Sequence, residues 1–178
     1  TASTRRTQFG NETRISWSAT DFALDDVIHV FIYAMDSGGN VGFETWNFTI
    51  VDNRAPDIEL LGNTAEDVAY DQSKTLYIWA SKNIGASSIN TETAKLEIGY
   101  NGTGYGTPQP LSVSESGITT LLNWSRFEYT INQANYKWNT TIQIRFTIED
   151  YKNNERITEF SFRVIDIYDP TITLSNDS

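Results

Sequence analysis

An internal repeat constrains this chain more than any other feature of its sequence. Residues 27–60 are echoed without a gap by residues 141–174, 114 positions later. The first copy reads VIHVFIYAMDSGGNVGFETWNFTIVDNRAPDIEL, and the second reads TIQIRFTIEDYKNNERITEFSFRVIDIYDPTITL. Few residues are identical, but apolar residues recur with a period of two in both copies. Identical residues at equivalent positions include Asp36/Asp150, Asn40/Asn154, Asp52/Asp166 and Pro56/Pro170. A repeat of this period predicts an array of similar modules.

The period of two predicts β-strands with one face in a core. In the second copy it places Ile142, Ile144, Phe146 and Ile148 inward. Phe160, Phe162 and Val164 face inward on the following strand. We predict strands at Ile58–Leu61, Thr75–Ala80, Ala94–Tyr100, Leu111–Val113, Thr141–Glu149 and Thr158–Ile165, with one or two more within Ile118–Ile131. Seven or so short strands in about 110 residues are typical of an immunoglobulin-like fold. The fold class is therefore all-β, with tandem immunoglobulin-like antiparallel β-sandwiches.

A short hairpin loop joins the two strands of each copy. In the first copy it reads Asp36-Ser-Gly-Gly-Asn40, and glycine and asparagine both tolerate positive φ. The second copy keeps the Asp and the Asn but has no glycine there. We therefore expect its turn to differ in detail, with Asn153 or Asn154 in the left-handed conformation.

The domain boundaries follow from the repeat and from two prolines. Proline ends the outgoing strand at each join, Asp52–Pro56 and Asp166–Pro170. We predict the end of one immunoglobulin-like domain in residues 1–53, a complete domain in 54–167 and the start of another in 168–178. A few strands alone leave half a core uncovered. The 178 residues are thus expected to be an excerpt of a longer polypeptide, with strand donation by a neighbouring chain as the alternative.

Three segments of the first copy carry a resemblance to a known family. The runs Phe31–Asn40, Trp46–Asp52 and Pro56–Ile58 resemble the end of a prokaryotic immunoglobulin-like or hyalin-type repeat. That pattern is a strand ending in an Asp/Gly/Asn turn, a closing strand, and Asp and Pro at the join. The resemblance implies tandem modules of archaeal or bacterial surface proteins, adhesins and surface layers, with no catalytic residues.

Composition excludes some partners. The net charge of −10 argues against nucleic acid and anionic lipid, which need clustered Lys and Arg. No apolar run is long enough to span a membrane. Cysteine is absent, which permits a cytosolic protein and equally a prokaryotic surface protein that relies on packing. We expect an extracellular location at the cell surface.

Six Asn-x-Ser/Thr sequons occur, in polar stretches, turns or outward strand positions. They are Asn11, Asn47, Asn101, Asn123, Asn139 and Asn176. A sugar can be accommodated at such positions, so they are candidate N-glycosylation sites. The alternative is an ordinary Asn- and Thr-rich β-surface.

Aspartates cluster at the joins and at the hairpin turns. Asp52, Asp57, Asp166 and Asp169 are candidate calcium ligands, since Ca²⁺ takes six to eight oxygen ligands and can stiffen interdomain joins. Calcium is the one cofactor that the sequence suggests. The alternative, which we favour, is that these aspartates, with Asp36 and Asp150, cap turns through side-chain hydrogen bonds.

Catalysis has little support. The single histidine, His29, projects from the outer face of a strand, and the carboxylate pairs Glu92/Glu97 and Glu149/Asp150 are interpreted as solvated rim residues. Aromatic residues in polar stretches could stack on sugars, although corner positions that cover the sandwich ends fit most of them better. They are Tyr100, Tyr105, Trp124, Tyr136 and Trp138.

The leading hypothesis is therefore a structural, non-catalytic cell-surface protein that forms a surface layer, sheath or filament. Its main partners would be other copies of itself, and surface glycans are a second class of partner. The alternative is an adhesin or a carbohydrate-binding accessory module of a secreted protein. A non-catalytic piece of a larger hydrolase is the third reading.

Overall fold

A computed structural model of the chain describes residues 5–9, 12–16, 22–83, 86–118 and 123–170. Its internal contacts divide the chain into two compact units. The first unit is Thr1–Asn53 with Gly85–Ser87, and the second is Arg54–Ile84 with Ser88–Ser178. The assignment of the outer segments to partial domains stays a prediction, and residues 171–178 lie outside the described part.

In the part of the first unit that the structure describes there are two antiparallel hairpins. Strands β1 (Arg5–Phe9) and β2 (Glu12–Ser16) form one, and β3 (Val27–Met35) and β4 (Val41–Thr49) form the other. Each hairpin is a two-stranded sheet. In β3–β4, Val30 lies opposite Trp46 and Phe31 lies opposite Thr45.

The described residues of the second unit form nine strands in two sheets. In chain order they are β5 (Asp57–Leu60), β6 (Val68–Ala69), β7 (Lys74–Ser81), β8 (Ile89–Tyr100), β9 (Gln109–Pro110), β10 (Val113–Ile118), β11 (Asn123–Ile131), β12 (Thr141–Asp150) and β13 (Glu155–Ile165). One sheet has the order β10-β11-β7-β5 and the other β6-β13-β12-β8-β9. A 3₁₀ turn, Gln133–Asn135, lies between β11 and β12.

The order of these strands is that of an immunoglobulin sandwich. All the pairings are antiparallel except that of β6 with β13. Seven strands remain when the two-residue strands β6 and β9 are set aside. Of these, β5, β7, β10 and β11 share one sheet, and β8, β12 and β13 form the other. This matches the ABED and CFG sheets of that fold. The predicted all-β, immunoglobulin-like class is confirmed.

The core forms where the inner faces of the two sheets meet. Every second residue of β12 is fully buried, as the alternation predicted, and Phe162 and Val164 on β13 are buried as well. Leu76, Ile78 and Phe127 belong to the same buried cluster from the opposite sheet. The centroids of the Phe127 and Phe146 rings lie 5.5 Å apart, so two buried rings from opposite sheets are in contact.

Most predicted strands are present, but three details differ. Strand β8 begins at Ile89, five residues before the predicted Ala94, because the polar stretch before Ala94 also pairs with β12. There the ladder shifts register, and the Thr93 hydroxyl accepts the Glu149 N–H at 2.9 Å. The two-residue strands β6 and β9 were not predicted, since two residues carry no readable period. Of the predicted strand Leu111–Val113, the first two residues lie between β9 and β10, and Val113 begins β10.

A buried lysine closes one end of this core. The Lys74 ammonium donates to the carbonyl oxygens of Asn63 and Glu66, and lies 5.5 Å from the centre of the Phe162 ring. Burial lowers the pKa of Lys74. The two carbonyls and the aromatic face take the place of the water that the ammonium loses.

Candidate functional site

The two copies of the repeat carry the same hairpin turn. In the second, Asp150 Oδ1 accepts the backbone N–H groups of Lys152 and Asn154, and Asn154 Nδ2 donates to Asp150 Oδ2. In the first, Asp36 makes the corresponding three bonds with Gly38 and Asn40. The expected difference in detail is wrong, because the carboxylate holds the turn in both copies.

The left-handed residue of the turn also matches between copies. Gly39 has φ +83° and Asn153, its equivalent, has φ +62°. The prediction that Asn153 or Asn154 would adopt this conformation is confirmed. Asparagine can replace glycine here because its short polar side chain tolerates the left-handed region.

The two turns differ in burial. Asp150 is only 1% exposed, so its interpretation as a solvated rim residue is wrong, whereas Asp36 is exposed. Hydrogen bonds from the Asn40 side chain and backbone, and then from the Gly38 and Gly39 N–H groups, lower the pKa of Asp36 against a smaller opposing effect of desolvation. Both aspartates thus act as turn caps, as the favoured alternative held.

The segment that leads into the sandwich of the second unit is fixed to it by side chains. Pro56 is buried, and its carbonyl accepts Arg156 Nε–H at 2.9 Å. The same guanidinium pairs with Asp57 at 3.5 Å, and Asn83 Nδ2 donates to the Ala55 carbonyl at 2.8 Å. Residues 55–57 are therefore held to the sandwich by three polar contacts.

The segment that leaves the sandwich is fixed too. The Tyr168 ring packs edge-on against Tyr70, with centroids 6.0 Å apart, and its hydroxyl donates to Asp71 at 2.5 Å. That hydrogen bond raises the pKa of Tyr168. Asp166 accepts the Tyr168 N–H at 3.0 Å, which turns the chain as strand β13 ends.

The candidate calcium ligands mostly make hydrogen bonds and ion pairs with the protein. Asp52 accepts the Ser87 N–H, Asp57 pairs with Arg156, and Asp166 accepts the Tyr168 N–H. Asp169 is exposed. Within the described ranges, no group of three or more His, Asp or Glu side chains is close enough to hold a metal ion. Calcium at the joins stays a prediction.

Four of the six sequons fall on described residues. Asn47 is exposed on β4, Asn139 is exposed in the turn before β12 with φ +63°, and Asn101 is exposed in the turn after β8. The Asn101 Oδ1 atom accepts the Thr141 N–H at 2.8 Å. Asn123 is half-buried at the start of β11. Asn11 and Asn176 lie outside the described residues, and glycosylation of any site stays a prediction.

The aromatic residues considered for sugar stacking have separate surroundings. Tyr136 is buried and its hydroxyl donates to the Gln72 carbonyl, while Tyr100 packs on the core. Tyr105 lies under the Arg145 guanidinium at 4.0 Å, and Trp124 meets Trp79 edge-on at 4.9 Å. These positions agree with the corner interpretation. Trp138 is the exception of the five, with 65% of its surface exposed.

The β3–β4 hairpin has two unlike faces. On one, Ile28, Val30, Trp46 and Phe48 are the equivalents of core residues of the complete sandwich. The other carries ten residues, all exposed, and His29 is among them as predicted. They are Val27, His29, Phe31, Tyr33, Met35, Val41, Phe43, Thr45, Asn47 and Thr49. Sequence reasoning missed the apolar part of this second face. Comparison of the outward positions of the two copies would have found it.

No helix in the described part of the chain has the length and apolar character needed to cross a membrane.

No protein-family model matches the chain. The search of curated proteins likewise finds no match. Among solved structures, the chain is similar to a marsupial T cell receptor, with 12% identity and a TM-score of 0.34. That alignment covers 91% of this chain and 69% of the receptor chain. The assignment of the fold rests on the strand order.

Proposed function

We propose that this chain is a structural, non-catalytic segment of a cell-surface protein, built of tandem immunoglobulin-like modules that form a surface layer, sheath or filament. The observation that carries the proposal is the repetition of one hairpin, with the same carboxylate-held turn, in two separate units of the chain. Repetition of a module is the usual basis of an extended structure.

The fixed segments at both ends of the complete sandwich support a mechanical role. Arg156 and Asn83 bind the incoming backbone, and Tyr70 and Asp71 bind the outgoing Tyr168. Chain that is held to a module by side-chain contacts has less freedom than a flexible linker. Tension on the chain would then act on the sheets directly, because there is no flexible linker to extend first.

An exposed location fits the surface chemistry of the chain. The net charge of −10 favours solubility and disfavours nucleic-acid partners. Exposed sequons at Asn47, Asn101 and Asn139 would carry sugars outside the cell. The prokaryotic immunoglobulin-like or hyalin-type repeats, which the hairpin and its join resemble, are the family in which we place the modules.

Electron microscopy of the native material tests this proposal. Ordered sheets, sheaths or filaments that an antibody raised against residues 54–167 decorates at regular intervals would support it. Dispersed, monodisperse particles with measurable affinity for glycans would contradict it. The intact mass of the native polypeptide provides a second readout, since attached sugars add to the mass of the amino-acid sequence.

The second candidate function is that of an adhesin or carbohydrate-binding accessory module. The exposed Trp138 favours it, because an aromatic ring open to solvent can stack on a sugar. A Trp138→Ala variant should then lose retention on a glycan array while keeping its melting temperature. Under the structural proposal the same variant assembles normally.

A further inference from the structure

The outer face of the β3–β4 hairpin, defined by the ten exposed residues given above, carries no Asp, Glu, Lys or Arg. Its half next to the turn is apolar: Phe31, Tyr33, Met35, Val41 and Phe43 are each more than half exposed. The Phe31 and Phe43 rings stack with centroids 6.4 Å apart. A contiguous exposed apolar patch of this kind marks an interaction site more often than chance.

The equivalent face of the second unit is polar except for Ile157. At the positions that match Phe31, Tyr33 and Met35, strand β12 has Arg145, Thr147 and Glu149. Arg145 pairs with Glu159 at 2.7 Å and with Glu97 at 3.6 Å. The first copy thus has Phe31 where the second has the ion-paired Arg145, and of its five apolar residues next to the turn only Phe43 has an apolar equivalent, Ile157.

Completion of the sandwich around β3–β4 would leave this patch uncovered. In the second unit, the opposite sheet packs on the buried positions of β12, such as Ile144 and Phe146. The alternate positions point away from that sheet, because successive side chains of a strand point to opposite faces. By this equivalence, an opposite sheet in the first unit would pack on the face of Val30 and Trp46 and leave Phe31 and Tyr33 exposed.

We propose that the outer face of the β3–β4 hairpin is a contact surface for the same face of a second copy of this chain. Its three aromatic residues, with Met35 and Val41, expose on the order of 600 Å². This lies below the ~800 Å² per partner of a standard interface, as expected of a weak contact that is repeated along an array, and it leaves Asn47 outside the contact. The inference rests on the proposed function, since it names the contact by which the modules would assemble.

Charge favours a second copy as the occupant. Two chains that each carry −10 repel one another, and the cost is smallest where neither presents a carboxylate. A two-fold contact also needs only one self-complementary patch. The sequon Asn47 lies on the same face and pairs with His29. This pair is farther from the turn than the Phe31–Thr45 pair, so a sugar on Asn47 would border the apolar half.

Cysteine pairing across the contact provides the test, because the native chain contains no cysteine. Thr45 lies opposite Phe31 on the outer face, and its neighbour Glu44 lies opposite Ile32 on the other face. With a short bis-maleimide, Thr45→Cys should give covalent dimers of the 178-residue chain and Glu44→Cys should give few. Equal yields from the two variants, or dimers from Glu44→Cys alone, would overturn the proposal.

Sedimentation velocity of the same chain gives an independent readout. Phe31→Arg with Phe43→Thr should weaken self-association at least tenfold, and Ile157→Thr, the change at the equivalent of Phe43, should leave it unaltered. A chain that stays monomeric at millimolar concentration overturns the inference, as does association that the double variant does not weaken. Circular dichroism checks that the variants retain their sheets.

These outcomes are separable from the fate of the proposed function. Ordered native assemblies whose contacts do not involve Thr45 would contradict the inference and would still support the proposed function. Thr45→Cys dimers from a protein that forms no native assembly would support the contact and contradict the surface-layer role. Retention of the chain on a glycan array through Phe31 without dimerisation would assign the patch to carbohydrate and overturn the inference.

Discussion

Asn154 donates its side-chain amide to Oδ2 of Asp150 at 2.9 Å, and Oδ1 of Asp150 accepts the backbone N–H of the same asparagine at 3.0 Å. The Lys152 N–H is a third donor to this carboxylate, at 2.7 Å. One buried side chain therefore fixes the whole connection between β12 and β13. The turn needs no glycine, because the carboxylate rather than intrinsic turn preference determines its path.

Removal of the Asp150 carboxylate should destabilise the second unit. Asp150→Ala leaves the N–H groups of Lys152 and Asn154 without this acceptor in a partly buried site, and we expect a loss of about 2–4 kcal/mol in the free energy of unfolding. Urea denaturation, followed by tryptophan fluorescence, measures it. Asp36→Ala, in the exposed turn of the first unit, is the matched control and should not alter unfolding of the second unit.

Asp150→Asn separates the contribution of the second acceptor oxygen from that of side-chain size. The amide would place an N–H₂ group where Oδ2 now accepts from Asn154, so two donors would face each other. We expect the variant to lose at least half as much stability as Asp150→Ala. Wild-type stability in Asp150→Asn would show that the charge of the carboxylate is dispensable, with the Asn154 amide turned so that its oxygen accepts from the new N–H₂ group.

The pairing of Asp67 with Arg163 predicts a loss of stability in acid. The Arg163 backbone N–H first, and then its guanidinium, lower the pKa of Asp67 from its ordinary 3.8 against some desolvation. Because the folded-state pKa is below the unfolded one, the contribution is present above about pH 4 and disappears as the pH falls through the folded-state pKa. It should be at most about 1 kcal/mol, since the pair is partly exposed.

Urea midpoints of wild type and Asp67→Asn, compared at pH 6 and pH 3, measure this contribution. The wild type should lose more stability than the variant between the two values. An equal loss in both proteins would assign the acid sensitivity to other carboxylates.

The strand pattern could be predicted because burial on one face imposes a period of two. Ile142, Ile144, Phe146 and Ile148 alternate with polar residues, and each is buried. The left-handed Asn153 was predictable for a similar reason, since few residue types tolerate positive φ. In both cases the local sequence contains the physical cause.

The sequence did not predict features whose causes lie far apart in the chain. The burial of Asp150 depends on the packing of β8 beside β12. The residues next to Asp150 in the sequence are polar, and they predicted a solvated rim position instead. The anchoring of Tyr168 depends on Tyr70 and Asp71, which are 97 residues or more away. The apolar outer face of β3–β4 is visible in sequence only when its residues are compared with their charged equivalents in β12.

Gly117 should be essential for the packing of Trp124. A Cβ atom at position 117 would lie 2.7 Å from the Trp124 ring, which itself packs edge-on against Trp79 at 4.9 Å. Gly117→Ala should displace the indole and cost about 1–3 kcal/mol. The near-ultraviolet circular dichroism of the tryptophan pair should also change. In a Trp124→Leu background the same change should cost much less, and equal costs in both backgrounds would contradict the steric explanation.

Removal of calcium should leave the stability of the chain unchanged. Three of the four candidate ligands, Asp52, Asp57 and Asp166, already bind N–H groups or a guanidinium of the protein. We expect the melting temperature in excess EDTA to equal that in millimolar Ca²⁺. A rise of several degrees with Ca²⁺, abolished by Asp169→Asn, would restore the calcium hypothesis.

Occupancy of the sequons should follow the exposure of each asparagine. Asn139 projects from an exposed turn and Asn47 from an exposed strand position, whereas Asn123 is half-buried beside Trp124. Because an enzyme must reach the side-chain amide to attach a sugar, we expect glycans at Asn139 and Asn47 and none at Asn123. Mass spectrometry of glycopeptides from native material measures this. Thr141→Ala, which removes the sequon but keeps Asn139, should abolish the modification there. A glycan on Asn123 with Asn139 bare would show that accessibility in the folded chain does not govern attachment.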